Sequence, residues 1–274
     1  MHNLNKNYIN KIVKQALEED LKPFGDITSK KIENIKSKAK IIAKENGVIS
    51  GLEFCEFAFK LTGKEVKFLK KVKDGEKVKK GKILATISAR ARTILSAERT
   101  ALNFLSHASG ISTLTNKFVS KTNNKTKICC TRKTTPNLRV LEKYAVRKGG
   151  GFNHRYNLSH EIMIKDNHIK VEKSLNKIIK KTINTGKTVT VEIDNISQLK
   201  KIMGLKFKRI LFDNMNLSDL KKCLKICGKK YDTEYSGNVT LKNISKFSKT
   251  NINRISIGSL THSAKALDIS LDIV

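Results

Sequence analysis

The chain has 274 residues, 39% of them hydrophobic, and a formal net charge of +32. That apolar content supports a packed core and excludes wholesale disorder, and the length suits one α/β barrel or a barrel with a small companion domain. No apolar run approaches the ~18 residues of a membrane span, and MHNLNKNYINKIVKQALEEDL lacks the apolar centre of a secretory leader, so a cytoplasmic enzyme without a membrane partner is expected.

In chain order, residues 8–20 read as a helix that stops before Pro23 and the Gly25-Asp26 turn, and 38–49 as a strand. Residues 52–62 (LEFCEFAFKLT) read as a helix stopped by Gly63. Residues 65–73 and 82–90 read as strands joined by DGEKVKKGK, with Asp74-Gly75 and Gly81 as turn residues. Residues 93–121 are helical in pattern, and Gly110 marks a point where the run can split into two helices. A domain border is placed there, giving an α+β domain over 1–109 and a second domain over 110–274.

The second domain alternates. Strands are expected at 127–131, 161–164, 188–193, 209–212, 231–235 and 254–257, with helices near 138–148, 173–184, 195–203, 217–227 and 240–248 between them. Short apolar strands separated by amphipathic helices mean parallel β/α units. Right-handed crossovers bring six of them into a barrel-like sheet.

Nine of the 56 basic residues are arginine, so 47 are lysine, and Lys, Asn and Ile are abundant throughout. That fits an A/T-rich coding bias better than a nucleic-acid surface, which draws on arginine to fork onto phosphate, and a basic nucleic-acid-binding protein is the non-enzymatic alternative. Of the five cysteines, Cys129 and Cys130 are adjacent in an apolar strand, and Cys223 and Cys227 lie four apart on a helix. No C-x-x-C pair exists, and buried structural thiols in a reducing compartment are expected.

Chemistry collects where the strands end. Arg132 and Lys133 follow the first, Lys165 the second, and Glu192 and Asp213 end the third and fourth. Ser236-Gly237 and Gly258-Ser259 follow the fifth and sixth, with His262 one turn on. In a parallel barrel these ends share one face, where such folds hold their sites. Asp194 or Asn195, and likewise Asn216, can be explained as helix caps, which leaves Glu192 and Asp213 unexplained by capping. Cations mixed with two carboxylates suit a polyanion and a divalent metal. Backbone amides at Ser236–Asn238 and at Gly258-Ser259, each read as opening a helix, suit a phosphate. The loop KGGGFNHRYN carries His154 and Arg155 toward the same face. From these residues alone a Schiff-base aldolase using Lys165 also stands.

The run TRKTTPNLRVLEKYAVRKGGGFNHR, followed by IMIKDNHI, VEIDN, LFDNM, EYSG and SIGSLTHSAKALDISL, resembles the quinolinate phosphoribosyltransferase family in order and spacing. GDITS, GVISG and AERTALNFLSHASGISTLT in the first half fit too, so the likeness covers nearly the whole chain. It implies an α/β protein: an N-terminal α+β sandwich-like domain beside an incomplete parallel β/α barrel. It also implies a homodimer in which Arg99 of one subunit completes the other's site.

The resemblance implies substrate contacts at Thr131, Arg132, Lys133, His154, Arg155 and Lys165, with Glu192 and Asp213 as the acidic pair. That pair is also the implied Mg²⁺ site, held directly or through water. Lys133, Lys165, Glu192 and Asp213 are the implied catalytic set. Phosphate-side contacts fall on Ser236, Gly237, Asn238, Gly258 and His262. The implied reaction joins quinolinate to phosphoribosyl pyrophosphate with loss of CO₂, and needs no organic cofactor and no nucleic-acid partner. A paralogue with another anionic acceptor is the alternative reading. Some positions depart from the family pattern: Asn137 and Asn238 where glycine is usual, and Ser159-His160 where an acidic residue is usual.

Overall fold

A computed structural model describes residues 4–123 and 125–274; the first three residues of the stretch read for a leader lie outside them. The chain forms two compact units, one from 1–116, 134–150 and 260–274, the other from 117–133 and 151–259.

The first unit opens with α1 (Lys6–Leu21), capped by Asn5, whose side chain accepts the Asn7 N–H at 2.8 Å. It buries Ile9, Ile12, Val13 and Leu17, one face at helical spacing. The strand expected over 38–49 is two, β1 (Lys36–Ala43) and β2 (Gly47–Val48). The chain breaks between them because the partner changes: β1 pairs with β5 (Ile83–Arg90), β2 with β4 (Lys77–Val78). Helix α2 (Leu52–Thr62) precedes β3 (Lys67–Lys70), and β4 lies inside the segment expected to be only a connection. Phe54 of α2 packs against Phe104, the ring centroids 5.3 Å apart and the planes tilted by 39°.

Phe104 belongs to α3 (Ala91–Val119), which is one helix of 29 residues and not two. Gly110 does not break it. A Cβ at Gly110 would stand 2.1 Å from the Lys265 carbonyl oxygen, so the glycine lets another segment's backbone lie against the helix.

After β6 (Lys127–Cys129), which belongs to the second unit, the chain re-enters the first for α4 (Arg139–Lys148). The second unit then continues through β7 (Ile162–Ile164), α5 (Asp166–Glu172), α6 (Leu175–Ile183), β8 (Val189–Ile193), α7 (Ile196–Ile202), β9 (Arg209–Asp213), α8 (Leu217–Cys227), β10 (Asp232–Ser236), α9 (Ile244–Ser248) and β11 (Arg254–Ser256). Its six strands are all parallel, in the order β6-β11-β10-β9-β8-β7. Edge strands β6 and β7 are not neighbours, so the barrel is incomplete. Val189, Val191, Ile210, Phe212, Tyr235 and Ile255 are buried along it, as expected for a sheet covered on both faces. Helix α5 was not expected from the sequence. Helix α9 begins at Ile244, so the turn at 236–238 does not open a helix as expected. Of the two candidates Asp194 and Asn195 it is Asn195 that caps α7, and Asn216 caps α8.

The chain closes with α10 (Ser259–His262) and β12 (Ile269–Ile273). β12 pairs antiparallel with β1, Ala39 opposite Ile273, in the sheet β12-β1-β5-β3 of the first unit. That unit is therefore built from both ends of the chain, across the border drawn at Gly110.

Candidate active site at the strand ends of the parallel sheet

Register puts the site's strand residues on one face. Thr190 and Asp232 both pair with Arg209, Glu192 and Glu234 with Leu211, and Asp213 with Ser236, which also pairs with Ser256. Alternate residues of a strand face the same way. Glu192, Asp213, Glu234, Ser236 and Ser256 therefore share a face above Thr190, Arg209 and Asp232.

Lys165 Nζ lies 2.6 Å from Glu192 Oε2. The Glu192 side chain is only 10% exposed. Burial holds its carboxyl above the usual carboxylate range; Lys165 opposes that shift, while the nearby charges of Asp213 and Asp166 reinforce it. Asp213 accepts the side-chain amide of Asn214 at 2.9 Å. Asn214 itself has φ +51°, and its N–H donates to the Ser236 carbonyl at 2.8 Å. Gly237, at φ +113°, leaves room for that amide: a Cβ there would stand 2.1 Å from Asn214 Oδ1. Asn238 takes φ +48°, a conformation asparagine tolerates. Its Nδ2 reaches Asn214 Oδ1 at 3.4 Å, so the side chain turns toward Asn214.

The cations come from the two segments around the β6 edge. Thr131 Oγ1 accepts the Lys133 N–H at 3.0 Å, tightening the turn that follows β6. Arg132 is half-buried and Lys133 exposed. Phe152 bridges to Cys129 as a parallel strand residue and leads into His154 and Arg155, both buried. Burial, then the positive charge of Arg132, holds the Arg155 guanidinium below its ordinary pKa; Glu161 and Glu192 offset part of this. Arg155 Nη1 donates to the Glu161 carbonyl at 3.3 Å. Two guanidiniums within reach of each other repel, and an anion between them relieves the repulsion.

Gly258 follows Ile257, whose N–H is tied to the Cys129 carbonyl at 2.9 Å. Thr131, Arg132, Lys133, His154, Arg155, Lys165, Glu192, Asp213, Ser236, Gly237, Asn238 and Gly258 all belong to the second unit. Arg99 and His262 belong to the first. Arg99 is exposed on α3, and His262 is exposed at the end of α10 with Nδ1 2.6 Å from Ser263 Oγ.

Sequence reasoning placed Asn214 at the end of the fourth strand without giving it a role, and it missed Arg209 and Glu234. The signal for the last two was present: DTEYS puts acidic residues at alternate positions of a strand, and RILFD opens on an arginine. Arg209 Nε donates to Asp232 at 2.9 Å and Nη1 to Glu161 at 3.3 Å.

Among the described residues no three His, Cys, Asp or Glu side chains group as a metal site. The charge of Asp213 is near enough to raise the Glu192 pKa, and two such carboxylates suit Mg²⁺ held by one or two carboxylates with the remaining oxygens from phosphate or water. All five cysteines are free and buried.

The family described as "Quinolinate phosphoribosyl transferase, N-terminal domain" matches residues 26–109, and its C-terminal counterpart matches 111–272. A protein of Methanocaldococcus jannaschii named a probable nicotinate-nucleotide pyrophosphorylase (carboxylating) is 40% identical over 283 residues, covering 98% of each chain. A Nicotiana tabacum protein named quinolinate phosphoribosyltransferase (decarboxylating) 2b, mitochondrial, is 38% identical, over 97% of this chain and 82% of its own. The crystal structure of nicotinate-nucleotide pyrophosphorylase from Ehrlichia chaffeensis superposes with a TM-score of 0.94 over the whole of both chains, at 38% identity. With matches to both domains and near-complete coverage by relatives of this identity, the chain belongs to the quinolinate phosphoribosyltransferase family.

Proposed function

We propose that the chain transfers the phosphoribosyl group of phosphoribosyl pyrophosphate to quinolinate, releasing pyrophosphate and CO₂ and giving nicotinate mononucleotide for NAD biosynthesis. One observation carries the reading: Arg155 is buried against the charge of Arg132, beside the Lys165–Glu192 ion pair. Two mutually repelling polyanions need such a concentration of cations to share one site.

Arg132, Arg155 and Lys165 take the quinolinate carboxylates, with His154 and Thr131 beside them. Lys133 and the turns at Ser236–Asn238 and Gly258 take the phosphates, and His262 joins them by family resemblance alone. The bond from the ribose anomeric carbon to pyrophosphate breaks, and Glu192 and Asp213 stabilise the positive charge that develops there. The pyridine nitrogen forms the new bond. Its positive charge then draws in the electron pair left when the adjacent carboxylate departs as CO₂, and that carbon takes a proton. Mg²⁺, bound through Glu192 and Asp213 directly or by way of water, would screen the pyrophosphate charge.

The reading includes a homodimer with shared sites, in which Arg99 of the partner subunit reaches the acceptor. Phe24, Ile27 and Ile35 support it: they are 74%, 67% and 57% exposed on the first unit, an apolar surface suited to a second copy. It also includes a cytoplasmic setting, which five free buried thiols suit.

The test is release of CO₂ from carboxyl-labelled quinolinate in the presence of phosphoribosyl pyrophosphate and Mg²⁺. No release, with turnover of a different anionic acceptor, would favour a paralogous reaction. Mixing Arg99→Ala with a Lys165→Ala variant restores part of the activity if sites are shared; inactive, verified heterodimers would rule sharing out.

A further inference from the structure

His154 is 7% exposed and Glu234 is fully buried. The imidazole Nδ1 accepts the backbone N–H of Arg155 at 2.7 Å. An accepting Nδ1 carries no proton, so the ring proton of the neutral form sits on Nε2. Nε2 lies 3.2 Å from Glu234 Oε1, so its N–H dipole faces the carboxylate, and the same oxygen accepts the Ser256 hydroxyl. The other carboxylate oxygen faces Arg209 Nε at 3.7 Å. Nδ1 is thus hydrogen-bonded within the protein, and Nε2 is buried against a carboxylate oxygen. A carboxylate with no exposure is costly to keep in a sheet interior, and part of that cost is offset here by the Ser256 hydroxyl and the charge of Arg209.

We propose that Glu234 is a positioning residue for the acceptor site: it holds His154 as the Nε2–H tautomer, which leaves Nδ1 to anchor the Arg155 backbone and so sets where the Arg155 guanidinium meets a substrate carboxylate. This rests on the reaction proposed above. His154 then acts through Arg155. A purely structural Glu234, one that only neutralises Arg209, leaves the acceptor site as it is.

The test uses the full-length protein. Glu234→Gln keeps the side chain's shape and removes its charge. Quinolinate KM rises about tenfold in this variant, while kcat and the KM for phosphoribosyl pyrophosphate stay within about twofold. His154→Asn gives the same shift, and the double variant is no worse than either single one, because both act along one path. An unchanged quinolinate KM in Glu234→Gln, or losses that multiply in the double variant, would overturn the proposal.

A second measurement covers a variant that does not fold. In the unmodified protein labelled with ¹⁵N-histidine and free of substrate, the His154 signals show an unprotonated Nδ1 and a protonated Nε2. A proton on Nδ1, or exchange between the two nitrogens, would overturn the proposal as well. Absence of quinolinate turnover by the unmodified protein counts against the reaction alone, because the imidazole spectrum is read without substrate.

Discussion

Lys165 Nζ sits 2.6 Å from Glu192 Oε2, one rung beyond Ile164 and Val191, the last paired residues of β7 and β8. The β7–β8 ladder has ended there, so Glu192 within β8 and Lys165 just after β7 meet at the C-terminal ends of the strands. A lysine committed to a carboxylate in this way orients an anion. It is a poorer start for Schiff-base chemistry, which needs the amine free.

The position of Glu192 has a pH consequence. Its carboxyl is pushed up chiefly by burial, and the ionised form is the one that pairs with Lys165 and stabilises a cation-like ribose. The acid limb of kcat/KM against pH therefore lies above the ordinary glutamate range near about 4.3. For stability, a pKa raised by folding gives a contribution that is full below the unfolded value and is lost as pH rises through the folded one. Glu192→Gln removes that loss and shifts the acid limb, while kcat falls about 10²-fold. pH-rate profiles and thermal unfolding from pH 4 to 8 check both; an acid limb that Glu192→Gln leaves in place would count against Glu192 as the titrating group.

Arg132→Ala removes one of two repelling guanidiniums. The expectation is a drop of about 10²-fold in kcat/KM for quinolinate, since a charge-assisted contact is worth about 1.5–3 kcal/mol. Steady-state kinetics and a thermal-shift titration with quinolinate read this directly; an unchanged affinity would remove Arg132 from the acceptor contacts.

Gly237→Ala tests the turn beneath Asp213. The residue is at φ +113° and a Cβ would meet Asn214 Oδ1 at 2.1 Å. Strain at such a position costs about 1–3 kcal/mol, and displaced Asn214 no longer donates to Asp213. Denaturant unfolding shows lower stability, and turnover falls more than stability alone explains. Wild-type stability and turnover would mean that the turn accommodates a side chain.

Gly110→Ala separates two readings of one glycine. In an open helix interior, alanine would stabilise by about 0.5–1 kcal/mol. Against the Lys265 carbonyl the added methyl overpacks, which costs about 1–3 kcal/mol. Urea unfolding of the two proteins gives the sign, and a stabilised variant would show that the close approach is not real.

The strand–helix alternation of the second unit was legible because it is local: each strand is an apolar run, and each helix repeats its buried face every three or four residues. Lys165, Glu192 and Asp213 were legible for the same reason, as polar residues ending apolar strands. So was the family, through motifs spread along nearly the whole chain.

Long-range pairing has no such local trace. The return of β12 to β1 joins residues more than two hundred positions apart, and nothing in ISLDI names its partner. Gly110 looked like a helix breaker because the backbone it admits comes from Lys265. Glu234 and His154 lie eighty residues apart and look like a strand polar and a loop histidine, until the parallel register turns Glu234 inward. Periodicity along the chain determined which elements form and which end carries the chemistry. Contacts distant in sequence, decided only when the sheet assembles, settled which buried polar groups meet behind those strand ends, because pairing across the sheet leaves no local trace in the chain.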